Sequence, residues 1–190
     1  MILPAEFCTY LDLKELRRDD SDSARDLFRG RFAAYYGFNV GGLTDQFKSR
    51  FFEILFSEKV IVNGRPDYAG ILEELSTFKR KSGHPAMPFS FVSKLVGIRD
   101  EGRPIYDRHV LAFFEEKDPG PRVGKKARIK WFVDFLDGVA SDYRVWAADE
   151  RIVPILARFK GRDAGLNKCH EARLMDFLVW TIGNQKLLSK

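Results

Sequence analysis

The chain has 190 residues, enough for one hydrophobic core or for two small helical lobes. Hydrophobic residues make up 45% and charged residues 31%, a balance that excludes a disordered chain. No apolar run approaches the ~18 residues of a membrane span, so no membrane partner is expected. The formal net charge is +5, and its distribution says more than its size. Residues 79–130 hold 13 Lys or Arg against 6 Asp or Glu, and the rest of the chain is slightly acidic. Such a segment is either the footprint of a polyanion or a solvated face. The N-terminus has neither a basic nor an apolar leader region, so no secretory signal is expected. Cys8 and Cys169 stand far apart, and neither a disulfide framework nor a metal-type cysteine spacing is present. A reduced, cytoplasmic protein follows, with no metal and no cofactor called for.

The pattern is helical nearly throughout. Leu11, Leu13 and Leu16 follow an opening near Pro4. Ser23 is the expected cap of a helix carrying Leu27, Phe28, Phe32 and Tyr35, and Gly37 its stop. Gly41 and Gly42 form a turn. Thr44 caps a segment with Phe47, Phe51, Phe52, Ile54 and Leu55 at helical spacing. Val60, Ile61 and Val62 are β-branched and closed by Asn63-Gly64, which reads as a brief strand or an extended connector. Asp67 opens a helix with Ile71, Leu72 and Leu75. Lys79 to Pro85 is a basic loop, and Phe89 to Ile98 a helix after Pro88. Asp107 opens a helix with Val110, Leu111, Phe113 and Phe114, and Asp118-Pro119-Gly120-Pro121 breaks it. A long helix spans about Lys125 to Val139. Ala148 to Phe159 is helical, with Pro154 in its first turn or at a kink. The last helix spans about Lys168 to Ile182 and stops at Gly183. The sum is an all-α protein of about eight helices: a single compact domain over 1–190, or two lobes with a cleft near 79–130.

The chemistry-bearing candidates cluster in that basic segment. There is no P-loop, no GxSxG and no HExxH, and the 3 His are scattered. Lys94 falls in the first turns of its helix, where the macrodipole disfavours an ammonium, and Phe91, Val92, Leu95 and Ile98 add desolvation. A neutral Lys amine is a nucleophile able to form a Schiff base. The same Lys also reads as a surface residue snorkelling from an apolar helix. Asp107 reads as an N-cap, and a carboxylate fixed there can also stabilise a developing cation or accept a proton. Lys79, Arg80, Lys81 and His84 on one side, and Lys125, Lys126 and Arg128 on the other, are candidate phosphate contacts. The second group equally reads as the solvent face of a long helix.

A Lys in the first turns of a helix, a Pro-aliphatic element, then Asp107-Arg108-His109-Val110 opening the next helix: this order resembles the core of the helix–hairpin–helix DNA glycosylases. The nearest branch is similar to the 8-oxoguanine glycosylases and the compact bacterial proteins sharing their fold. The closing segment from Leu174 to Gly183 resembles the last helix of those compact proteins. Met87-Pro88-Phe89-Ser90-Phe91 stands where the family carries a Leu-Pro-Gly-Val-Gly type turn. Lys94 and Asp107 stand 13 positions apart, which implies a short intervening helix. The resemblance implies a DNA glycosylase-like helical fold with a degenerate hairpin, and excision of a flipped, damaged purine by a glycosylase/AP lyase. It assigns Lys94 as the Schiff-base Lys and Asp107 as the catalytic Asp. Arg108 and His109 join the DNA contacts, and the partner is damaged double-stranded DNA. A monomer associated with the nucleoid is expected. Two other readings stay open: a non-catalytic helical DNA-binding protein of the same fold, and a helical domain whose basic centre meets an acidic protein.

Overall fold

The computed structural model describes residues 4–39, 42–162 and 164–189. Gly41 of the expected Gly41-Gly42 turn and the N-terminal Met1 to Leu3 lie outside the described residues. Nine α-helices, three single-turn 3-10 helices and one two-stranded ribbon make up the regular structure of the described residues, the all-α architecture expected. The chain divides into two compact units, passing from one to the other between Arg99 and Asp100.

The first unit holds α1 (Pro4–Arg18), α2 (Asp22–Tyr35), α3 (Asp45–Phe56), β1 (Ile61–Val62), β2 (Arg65–Pro66), α4 (Tyr68–Leu75) and α5 (Phe89–Arg99). Local signals place most of these boundaries. Thr44 and Asp67 accept hydrogen bonds from the backbone N–H groups of Phe47 and Gly70, capping α3 and α4. The cap of α2 is Ser21 rather than Ser23: its hydroxyl takes the Ala24 N–H, and Ser23 lies inside the first turn. Gly37 closes α2 at φ 64°, with the Phe38 N–H reaching back to the Ala33 carbonyl in a Schellman arrangement. Asn63 and Gly64, both at positive φ, turn β1 into β2 as the left-handed pair a tight hairpin needs. The core is a pile of phenylalanines. Phe28, Phe32, Phe38, Phe47 and Phe51 are fully buried. Phe38 lies 4.6 Å from Phe51 and 4.8 Å from Phe91, centroid to centroid, in tilted and edge-on contacts that suit the ring quadrupoles.

The second unit holds α6 (Arg108–Phe114), α7 (Lys125–Ala147), α8 (Val153–Lys160) and α9 (Glu171–Leu188). Three expected boundaries shift. α7 runs eight residues past Val139, because Ala140 and Tyr143 continue its buried face. Residues 148–152 form a turn tied by Asp149, whose carboxylate takes the Arg151 N–H at 2.8 Å, so α8 starts only at Val153, with Pro154 in its first turn. α9 does not stop at Gly183. It passes straight through, because that glycine is where α6 and α9 touch: a Cβ there would stand 1.9 Å from the His109 carbonyl oxygen. Val110, Phe132, Leu136, Leu174, Met175 and Val179 fill the core of this unit.

Candidate functional site

Lys94 stands in the second turn of α5 and is half-buried. Helical spacing puts Ser90 one turn behind it, and the Nζ donates to the Ser90 hydroxyl at 2.8 Å. Two rings face the same ammonium, Tyr36 at 5.3 Å and Phe91 at 5.6 Å to the centroids. The expected apolar neighbours Val92, Leu95 and Ile98 are buried in the core. The nitrogen therefore faces two aromatic rings and a hydroxyl, and aromatic faces attract a cation. Tyr36 caps the end of α2, where the Gly37 turn holds it, and nothing in the sequence pairs it with Lys94.

Asp107 caps α6, as its position predicts. Its Oδ1 accepts from the backbone N–H groups of His109 at 2.9 Å and Val110 at 3.0 Å. Its Oδ2 accepts nothing from a described residue, so one oxygen fixes the carboxylate and the other is left to act. The strand-like segment leading to it is clamped from behind. Tyr106 is buried against Trp131, Phe132 and Phe135, with centroids 5.3–6.1 Å away. The Ile105 N–H donates to Asp176 Oδ1 at 3.1 Å, and Arg173 Nη2 donates to the Arg103 carbonyl at 3.2 Å.

Asp176 and Arg173 form a buried pair on α9, Nη1 to Oδ2, and the Tyr143 hydroxyl donates to Asp176 Oδ1 at 3.0 Å. Burial pushes the Asp176 carboxyl up to about 6, against the opposing pull of Arg173, the Ile105 N–H and the Tyr143 hydroxyl. Burial also drives the Tyr143 phenol upward, as does the Asp176 charge beside it. Sequence reading missed this network. Its one visible signal was an Arg and an Asp three apart inside the apolar run Ala172, Leu174, Met175, Phe177, where a solvated pair has no place.

The expected phosphate contacts separate into groups. Lys79, Arg80, Lys81 and His84 come together on one small exposed ribbon. There the Arg80 N–H donates to the His84 carbonyl at 2.8 Å, Gly83 turns at φ 82°, and the Lys81 N–H reaches the Gly42 carbonyl. Lys125 and Lys126 are exposed in the first turn of α7, and Arg108 is exposed in the first turn of α6. Arg128 is engaged elsewhere. Its guanidinium grips the Asp118 carboxylate with both prongs, at 3.1 and 2.6 Å, and fastens the 118–121 turn. His109 is buried, its ring 4.6 Å from Trp180 and its Nε2 taking the Arg108 Nε–H at 3.2 Å. Lys94 and Lys79 to His84 belong to the first unit, and Asp107, Arg108, His109 and Lys125 to Arg128 belong to the second.

Among the described residues no cluster of His, Cys, Asp and Glu is arranged to hold a metal ion, and no helix is long and apolar enough to cross a membrane. No protein-family model, curated protein or solved structure matches the chain.

Proposed function

We propose that the chain is a helix–hairpin–helix type DNA glycosylase/AP lyase acting on a flipped, damaged purine of the 8-oxoguanine kind. The observation that carries this reading is Asp107: its Oδ1 is locked by two backbone N–H groups, its Oδ2 has no partner among the described residues, and a buried network braces the segment before it. A carboxylate so fixed costs no reorganisation when positive charge develops on a sugar. In the reaction, the Lys94 amine adds to C1′ as the glycosidic bond breaks, and the bonding electrons leave with the base. Cleavage of the C1′–O4′ bond opens the ring, leaves a hydroxyl on C4′ and gives the imine. Removal of a C2′ proton then expels the 3′ phosphate by β-elimination. The exposed ribbon Lys79-Arg80-Lys81 and the pair Lys125-Lys126 supply phosphate contacts on duplex DNA.

The test is borohydride trapping on duplexes holding 8-oxoguanine or an abasic site. A covalent adduct is expected, and Lys94→Gln abolishes it. No adduct on either substrate overturns the reading. The two rings over Lys94 favour a second reading, a DNA-binding protein of the same kind without the chemistry, because they stabilise an ammonium rather than a free amine. That reading expects duplex binding with steep salt dependence and no adduct. Absence of duplex binding at low salt leaves a helical domain that meets an acidic protein.

A further inference from the structure

Three arginines gather around one phenylalanine in the first unit, far in sequence from the basic centre. Phe56 ends α3, half-buried, its ring fixed edge-on by Phe28 at 5.4 Å. The guanidinium carbons of Arg17, Arg25 and Arg29 lie 5.8, 5.4 and 5.9 Å from that ring's centroid, and Arg29 also lies 6.0 Å from Phe52. Arg17 comes from the last turn of α1, and Arg25 and Arg29 from successive turns of α2.

The nearby carboxylates answer these arginines only weakly. Arg25 reaches Asp20 at 3.3 Å and Arg29 reaches Asp26 at 2.8 Å, but those carboxylates are 80% and 74% exposed, where ion pairs are weak and screened. Arg17 makes no hydrogen bond or ion pair with a described residue. The Nε atoms of Arg17 and Arg25 are both buried without an acceptor. The negative end of the α1 dipole accounts for an arginine at position 17, but not for three guanidinium groups sharing one ring. Like charges gathered around one ring repel one another. A multivalent anion relieves the repulsion, and the planar guanidinium fork matches the oxygens of a phosphate.

We propose that Arg17, Arg25 and Arg29, arrayed about Phe56, form a binding site for a phosphate group. The Phe56 ring gathers the three guanidinium groups within 6 Å of its centroid, and one anion drawn to them would take donors from more than one. The phosphate belongs either to a small soluble molecule or to a nucleic-acid backbone, and the chemistry of the site is the same for both.

Two measurements on the full chain separate the sources. In the first, melting temperature is followed against inorganic phosphate, with chloride holding the ionic strength constant. A rise is expected for the wild type by linkage and is lost in the Arg17→Gln, Arg25→Gln double variant. In the second, duplex affinity is followed against salt. A backbone phosphate seated here predicts that the double variant loses roughly 0.9 units of salt slope for each contact removed. A response in the first alone assigns a small phosphate ligand, and a response in the second assigns the nucleic-acid backbone. No difference between wild type and variant in either overturns the proposal. If the double variant does not fold, Arg17→Gln alone serves, since Arg17 has no hydrogen bond to lose. Neither measurement involves Lys94 or Asp107, so the site stands or falls apart from the Schiff-base chemistry.

Discussion

Asp176 holds a carboxyl raised from 3.8 to about 6 by complete burial, and that shift dictates how its contribution to stability changes with pH. Between those values the folded chain binds a proton that the unfolded chain does not. The stabilisation from this group is therefore full below about pH 4 and is lost as pH climbs through about 6. Asp176→Asn removes the titrating carboxyl, so the stability that wild type has over the variant grows as that carboxyl takes up its proton. The gap between wild type and variant should widen as pH falls from 7 towards 4. Urea midpoints across that range check this, and a constant or narrowing gap refutes it. Asp107 allows a cleaner dissection. Asn caps a helix as well as Asp does, so Asp107→Asn should leave the urea midpoint nearly unchanged while cutting borohydride trapping sharply. Asp107→Ala should lose about 1 kcal/mol of stability as well. If Asp107→Asn traps as well as wild type, the residue is a cap and nothing more.

At the scale of elements, two helix glycines have opposite roles. Gly183 lets α9 lie directly on the backbone of α6, whereas Gly138 on α7 is exposed, with open space where a side chain would go. Gly183→Ala forces a methyl into the His109 carbonyl, so α6 must move, and a loss of roughly 3 kcal/mol is expected. Because Asp107 caps α6, that displacement also reaches the candidate site. Gly138→Ala instead removes backbone freedom from the unfolded chain and should gain about 0.5–1 kcal/mol. Denaturant midpoints of the two variants should move in opposite directions. The sequence showed Gly183 only as a helix stop, since a glycine near the end of an apolar run is the common stop signal. Its true use depends on a residue 74 positions away.

For the whole molecule, the excess of positive charge between 79 and 130 is not one uniform face. Lys79, Arg80 and Lys81 stand exposed on their ribbon, and Lys125 and Lys126 on α7, but Arg128 is bound to Asp118 with only 13% of its side chain exposed. Duplex affinity should therefore lose salt slope, roughly 0.9 units per contact, when Lys79, Arg80 and Lys81 are changed to Ala. Arg128→Ala should lower stability and leave the slope nearly unchanged. Equal effects on slope from both variants would contradict this division.

The sequence by itself determined what depends on neighbours a few residues away. That includes the all-α architecture, the Thr44, Asp67 and Asp107 caps, the Gly37 stop and the Asn63-Gly64 turn. Each is settled by a hydrogen bond or a φ value within one turn of chain, so composition and spacing suffice. The tertiary structure alone decided which side chains meet across long separations. Tyr36 stands against Lys94, Tyr143 and Ile105 converge on Asp176, Arg17 joins Arg25 and Arg29 at Phe56, and Arg128 turns inward to Asp118. These pairings follow from how helices pack, and packing is fixed by the shape of the filled core, which periodicity constrains but does not specify.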